Sequence, residues 1–212
     1  MNTCYIIGAG DVFPIDCCAD ETDYIICADG GYKHSMLLKR GPDMVMGDFD
    51  SLGYIPESCE KLVFPSQKDE SDMFLCVEKG FEKGYKRFVI LGGLGGDRMD
   101  HSIANIQLLQ YIAQKGGIGF LWHQKNIFTC IHNSAVEFDS YCKGYISVFS
   151  LTDKSQGVTI KNLVYETDAV TITSSVTVGL SNEFIGEKAS ISVEKGSLLI
   201  CWKGSVSDCL IK

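Results

Sequence analysis

The chain has 212 residues, 45% of them apolar and 22% charged, with a formal net charge of −8. That size and composition describe a soluble globular protein of one large or two small domains. The acidic balance, with no basic run, argues against nucleic acid as a partner and favours small cations or metal-bridged anions.

No apolar stretch approaches the roughly 20 residues of a membrane span, and the opening MNTCYIIGAGD has neither the basic start nor the cleavage pattern of a signal peptide. No membrane partner is expected. The ten cysteines are scattered, without a CxxC pair, which fits a reducing cytoplasm better than a disulfide framework. The four histidines form no HxxxH or Cys/His cluster, so zinc has little support and each is read as structural or surface.

Up to about residue 125, short β-branched runs alternate with helical patterns. Residues 4–8, 23–31, 43–48, 61–64, 87–93 and 118–122 read as strands, four of them ending in Gly or Asp. Between them, YKHSMLLKRG (32–41) reads as a helix with a glycine stop. DMFLCVEKGF (72–81) reads as a helix with Phe74, Val77 and Phe81 on one face, and HSIANIQLLQYIAQKGG as one with Ile103, Ile106, Leu109 and Ala113 on its face. Such alternation predicts a mainly parallel sheet with flanking helices, Rossmann-like, and ligands at the carboxyl ends of its strands. From residue 126 the period becomes two and the turns short. Residues 126–212 read as an all-β sandwich or partly open barrel, its last two strands joined by a hairpin at Glu194 to Gly196.

In the first part, clusters of acid and glycine follow the strands: ADGG (28–31), GDFDS (47–51) and GGLGGDRMDH (92–101), while QKDESD (67–72) opens a helix. Asp48 and Asp50 are two residues apart. In an extended segment that places them on one face with Cα atoms roughly 6 to 7 Å apart, a spacing that suits a cation. A plain turn with a capping serine is the bland alternative. Several such clusters at one topological end make a shared site the better reading, and phosphoryl chemistry suits them. Asp48, Asp50 and Asp72 offer oxygen ligands to magnesium. The glycine loop offers backbone N–H groups to a polyphosphate, and Arg98 a fork of donors to the charge that builds up in an in-line displacement. Against these stand helix capping by Asp69, Asp72 or Asp100. The loop is no Walker A pattern, and IGAGDVF lacks the third glycine of a dinucleotide turn. In the β part, Ser181 and Asn182 of TVGLSNEF suit a turn, or the edge of a heterocycle.

Together and in order, these motifs resemble those of thiamine pyrophosphokinases. GDFDS matches the acidic motif of that family, KDESD its Lys-Asp-x-Thr-Asp with Ser71 for Thr, and GLSNEF the form of bacterial members. GVTIKNLVYE resembles the segment that carries Tyr165 at an aromatic position, here without the family's proline, and Asp97 is an extra residue between Gly96 and Arg98.

The resemblance implies an ATP- and magnesium-binding catalytic domain over residues 1–125, a thiamine-binding β-sandwich over 126–212, and a homodimer. It implies transfer of a diphosphoryl group from ATP to the thiamine hydroxyl, releasing AMP. It gives Asp48, Asp50 and Asp72 to the metal; Asp29, Gly30, Gly31, Lys68, Gly95, Gly96 and Arg98 to the nucleotide; Asp72, Arg98 and Asp100 to catalysis; and Ser181, Asn182 and Tyr165 to thiamine. A magnesium-dependent hydrolase and a non-catalytic thiamine or nucleotide sensor are the alternatives.

Overall fold

The structure is a computed structural model, and it describes residues 2–15, 18–49, 59–65 and 69–212. Two compact units divide the chain: residues 1–108 with 121–124, and residues 109–120 with 125–212.

The first unit is built on parallel strands β1 (Thr3–Ile7), β2 (Tyr24–Ala28), β3 (Met44–Gly47), β4 (Glu60–Val63) and β5 (Arg87–Leu91), in the spatial order β5-β1-β2-β3-β4. All five residues of β1 are buried, as a strand covered on both faces requires. At the other extreme β4 is mostly exposed and carries Glu60 and Lys61, the charged residues of a protected sheet edge. Where the strands begin, carboxylates take the backbone donors that no neighbouring strand reaches. Asp23 accepts from the Thr3 N–H at 2.8 Å and Asp43 from the Ile25 N–H at 2.8 Å, with Arg40 bound to Asp43 and to the carbonyls of Asp20 and Asp23.

Among the described residues there are two α-helices, α1 (Asp72–Glu82) and α2 (Met99–Gln114). The helix expected over 32–41 is a 3-10 helix at Asp29–His34 followed by turns. Lys39 there has φ +58°, a left-handed conformation that no α-helix continues through. Ser71 caps α1, its hydroxyl accepting from the Phe74 N–H at 3.2 Å. The buried face of α1 is Met73, Cys76, Val77 and Gly80, and not the expected Phe74, Val77 and Phe81. Gly80 sets that face: a Cβ there would come within 2.5 Å of the Phe88 ring and 3.0 Å of Cys4 Sγ, so the helix lies tight on the sheet. In α2, Ser102, Asn105, Leu108, Leu109 and Ile112 are buried, whereas Ile103, expected inside, is 61% exposed.

Strand β6 (Ile118–His123) contributes residues to both units. The second unit continues with β7 (Asn126–His132), β8 (Ala135–Phe138), β9 (Tyr145–Ser150), β10 (Lys154–Lys161), β11 (Thr167–Thr173), β12 (Asn182–Glu183), β13 (Ala189–Ser192), β14 (Ser197–Lys203) and β15 (Cys209–Ile211). Its strands pair antiparallel in two sets, β12-β9-β14-β7 and β11-β10-β13-β8-β15. The expected hairpin at 194–196 is a correction: β13 pairs with β8 and β10, and β14 with β7 and β9. The segment between them passes from one sheet to the other instead of folding back. Lys195 bridges to Gln156, and Gly196 at φ +121° redirects the chain. Between the sheets the rings of Phe138 and Trp202 meet edge to face at 5.2 Å, and Phe138 meets Phe184 at 5.3 Å. No helix among the described residues is long and apolar enough to cross a membrane.

Candidate active site

In the first unit the carboxyl ends of β1, β2, β3 and β5 open onto one cleft of about 450 Å³. Its walls are the loop Gly8–Gly10 after β1, Asp29 after β2, Asp48 after β3, Glu70 to Met73 at the start of α1, the segment 92–98 after β5, and His101 and Asn105 of α2. Ligand sites in open parallel sheets lie at this end of the strands.

The acidic side of the cleft rests on close backbone packing. Gly31 sits against the end of β1, where a Cβ would meet the Ile7 carbonyl oxygen at 2.0 Å, and Gly47 leaves 2.8 Å to the Cβ of Asp29. Only glycine fits either place, and together they let Asp29, at φ +41°, turn into the cleft. Gly30 and Gly31 are themselves buried behind it and are not part of its wall. Asp29 Oδ1 is buried without a hydrogen-bond partner. A buried carboxylate oxygen in that state, in a cleft that Asp48, Glu70 and Asp72 also line, is what a hard divalent cation satisfies. No group of three or more His, Cys, Asp or Glu side chains at metal-ligand spacing occurs among the described residues. Asp50, the third ligand expected from the sequence, lies outside them, as does Lys68.

The strand argument for Asp48 and Asp50 does not survive. β3 ends at Gly47, and Phe49, buried, has φ +61°. A bulky residue in the left-handed region is a strained conformation held by its surroundings, so the chain turns at Phe49 and is not extended through it.

The glycine-rich loop is pinned from two sides. Gly8 and Gly10 donate to the carbonyls of Leu91 and Gly92 at 2.8 and 2.9 Å. Asn105 donates to the Gly93 carbonyl at 2.7 Å, the Gly95 N–H donates to Ser102 Oγ at 3.1 Å, and the Gly96 N–H donates to Asp11 Oδ2 at 3.2 Å. The N–H groups expected to wait for a polyphosphate are thus partnered within the chain. Ser102 and Asn105 are buried polar residues one turn apart on α2, and this loop is the reason for their burial.

Arg98 lines the cleft, while Asp100 is paired with it from outside the wall. The guanidinium donates through Nε to Oδ1 at 3.0 Å and through Nη2 to Oδ2 at 2.6 Å, a bidentate fork on an exposed pair. That hydrogen bonding holds the Asp100 carboxyl down at about 2 and raises Arg98.

Sequence reasoning missed Gly8 to Gly10, Asp11, Glu70, Ser102, His101 and Asn105. The glycine pair of IGAGD was the available signal for the first four of these positions, and Ser and Asn three apart in an apolar helix pattern the signal for Ser102 and Asn105. None of the described thiols lines the cleft, and burial pushes Cys27 and Cys130 up to about 12.

In the second unit, Ser181, Asn182 and Tyr165 form their own arrangement. Ser181 has φ +59°, is exposed, and donates its N–H to Ser147 Oγ at 3.1 Å. Asn182 is 5% exposed and its amide is engaged with the backbone of Tyr165, whose ring is 69% exposed.

Two family models match the chain: the thiamin pyrophosphokinase catalytic domain over residues 16–118 and the thiamin pyrophosphokinase vitamin B1 binding domain over 133–198. A thiamine pyrophosphokinase of Bacillus subtilis (strain 168) is 29% identical over 167 residues, 75% of this chain and 77% of the relative. In fold, the chain is similar to the crystal structure of thiamine pyrophosphokinase from Bacillus subtilis (TM-score 0.81, 24% identity, 97% of this chain and 100% of that one). It is also similar to that of thiamin pyrophosphokinase from Geobacillus thermodenitrificans (TM-score 0.78, 21% identity, 97% and 99%).

Proposed function

Because the chain belongs to the thiamin pyrophosphokinase family, we propose that it transfers a diphosphoryl group from ATP to the hydroxyl of thiamine, giving thiamine diphosphate and AMP. The observation that carries this reading is the cleft itself, where acidic loops and a glycine-rich loop face each other at the carboxyl ends of the parallel strands. The thiamine oxygen forms a bond to the β-phosphorus, the bond from that phosphorus to the oxygen shared with the α-phosphate breaks, AMP leaves with the electron pair, and the hydroxyl gives up its proton.

The carboxylates that line the cleft suit a magnesium ion, which Asp48 and Asp72 would hold, with Asp50 assigned to it from the sequence motif alone, and the orphaned oxygen of Asp29 supports a cation on that side. When bound, the ion neutralises phosphate charge and relieves repulsion among the carboxylates. Gly95, Gly96 and Arg98 are assigned to the polyphosphate and Asp29 to the nucleotide site, with Gly30 and Gly31 buried behind it and Gly31 letting Asp29 reach the cleft. For phosphate to take the Gly96 N–H, Asp11 must let it go. Arg98 exchanges Asp100 for phosphate oxygens in the same way, leaving Asp100 for the substrate hydroxyl or the ion.

In the second unit, Ser181 and the exposed ring of Tyr165 bind the aminopyrimidine by hydrogen bonding and stacking. Val164, Val178, Leu180 and Ile185, each at least half exposed in that unit, support a homodimer. Thiols outside any disulfide, such as Cys4, Cys18 and Cys27, suit a reducing compartment, the cytoplasm.

The test is to incubate the protein with magnesium, ATP and thiamine and identify the nucleotide product. AMP in equal amount with thiamine diphosphate is expected. ADP, or phosphate released independently of thiamine, would overturn the assignment.

A further inference from the structure

We infer that Asn182 is a positioning residue for the aromatic side chain of Tyr165, acting through the Tyr165 backbone and not by contact with a heterocycle. The inference rests on the thiamine reading of this unit.

The geometry is a two-point clamp. Asn182 Oδ1 accepts from the Tyr165 N–H at 2.9 Å, and Asn182 Nδ2 donates to the Tyr165 carbonyl at 2.7 Å. Oδ1 accepts as well from the Glu183 N–H at 2.9 Å. A side-chain amide is the group that offers an acceptor and a donor side by side, so it meets the N–H and C=O of one residue as a neighbouring strand would. With both faces of its amide committed and only 5% of the residue exposed, Asn182 has little left to present to a ligand.

Tyr165 is placed in the opposite way. Its ring is 69% exposed, so packing does little to hold it, and its position depends on the backbone beneath. The residues before it are tied to the same strand: Leu163 bridges Phe184, and the Val164 N–H donates to the Glu183 carbonyl at 3.0 Å. The Asn182 clamp extends that pairing by one residue. There the chain departs from strand geometry and the ladder alone could not follow.

Asn182 itself is anchored. It pairs with Ile146 of β9, and the preceding Ser181 N–H is held by Ser147 Oγ. The clamp therefore connects β9, through β12, to the aromatic ring, and replacing the amide should release Tyr165 while leaving the sheet paired.

The experiment is a double-mutant cycle of Asn182→Ala and Tyr165→Ala, with KM for thiamine, KM for ATP and kcat measured for each variant. Expected is a rise of about tenfold in KM for thiamine in Asn182→Ala, with KM for ATP within about twofold. In the Tyr165→Ala background, Asn182→Ala should add almost nothing. Additive effects, or an unchanged KM for thiamine, overturn the inference.

If the alanine variant does not fold, Asn182→Asp carries the same cycle. It keeps the size and the acceptor, but sets a carboxylate against the Tyr165 carbonyl. Amide hydrogen exchange gives a direct check: the Tyr165 N–H exchanges slowly in the wild type and rapidly in Asn182→Ala if the clamp is real, and equal rates refute it. A wild-type protein that makes no thiamine diphosphate would instead sink the thiamine reading, and the exchange result would still stand by itself.

Discussion

The two units are held together by different chemistry. At the cleft of the first, short polar side chains and glycines do the holding: Asn105, Ser102 and Asp11 each fix one backbone group of the glycine-rich loop, and Gly31 lets a backbone turn sit on the Ile7 carbonyl. In the second, three aromatic rings meet between two antiparallel sheets, with Phe138 touching both Trp202 and Phe184. A region whose working parts are loops must satisfy backbone groups that no ladder reaches, and it spends side chains on that. A region that has to present a few groups from a firm surface can rely on buried area.

The difference can be broken first at Phe138, which is 1% exposed. Phe138→Ala should cost about 3–5 kcal/mol, through lost burial and the cavity left beside Trp202 and Phe184. Chemical denaturation followed by Trp fluorescence would read it. A loss under about 1 kcal/mol would show that the aromatic cluster is not the core of this unit.

A smaller effect on free energy, and none on folding, is expected at the cleft. Asp72→Asn keeps the shape of the first residue of α1 and leaves the Ser71 cap in place, but removes the charge. Turnover should fall by about a hundredfold or more, as when one preorganised electrostatic group is lost, with the denaturation midpoint nearly unchanged. Full activity in this variant would take Asp72 out of the metal site. A large drop in stability would show instead that its role is in the helix start.

How much of this was legible follows the same division. The parallel strands were found in the sequence to within a few residues, because apolar runs such as CYIIG ending in glycine leave few other readings. The buried faces of the helices were not. Ile103 fits an apolar stripe by type yet is exposed, while Asn105 and Ser102 are buried because the glycine loop needs their hydrogen bonds, a demand set by residues twelve and seven positions away. The acidic motif was legible as a motif but not as geometry. Alternation assumes an extended chain, and Phe49 at φ +61° breaks that assumption inside the motif. In the second unit, period two located most strands but not their partners. Whether Glu194 to Gly196 closes a hairpin or carries the chain to another sheet depends on Gln156, bridged to Lys195 from β10, and local pattern does not contain that information. Asn182 was legible as a polar residue of the β part, but not as one whose amide meets the backbone of Tyr165. Only the coordinates show that its amide is already spent on Tyr165.

The smallest effect concerns the exposed pair in the cleft mouth, and it discriminates between roles better than the larger ones. Arg98 holds Asp100 ionised down to about pH 2 by hydrogen bonding and charge. The folded value lies below that of an unfolded aspartate, about 3.9. The pair's contribution is therefore present above that value and is lost as the pH falls toward 2, and both groups are so exposed that solvent screening keeps it small. Carboxyl NMR titration should find Asp100 near 2 in the wild type and close to the ordinary value in Arg98→Ala; a value near 4 in the wild type would mean the fork does not persist in solution. Adding a non-hydrolysable ATP analogue without magnesium then separates the two fates of the arginine. If Arg98 turns to the polyphosphate, Asp100 loses its partner and titrates higher. If the Asp100 value stays where it was, the guanidinium remains on the carboxylate, and phosphate binding belongs to the glycine-rich loop alone.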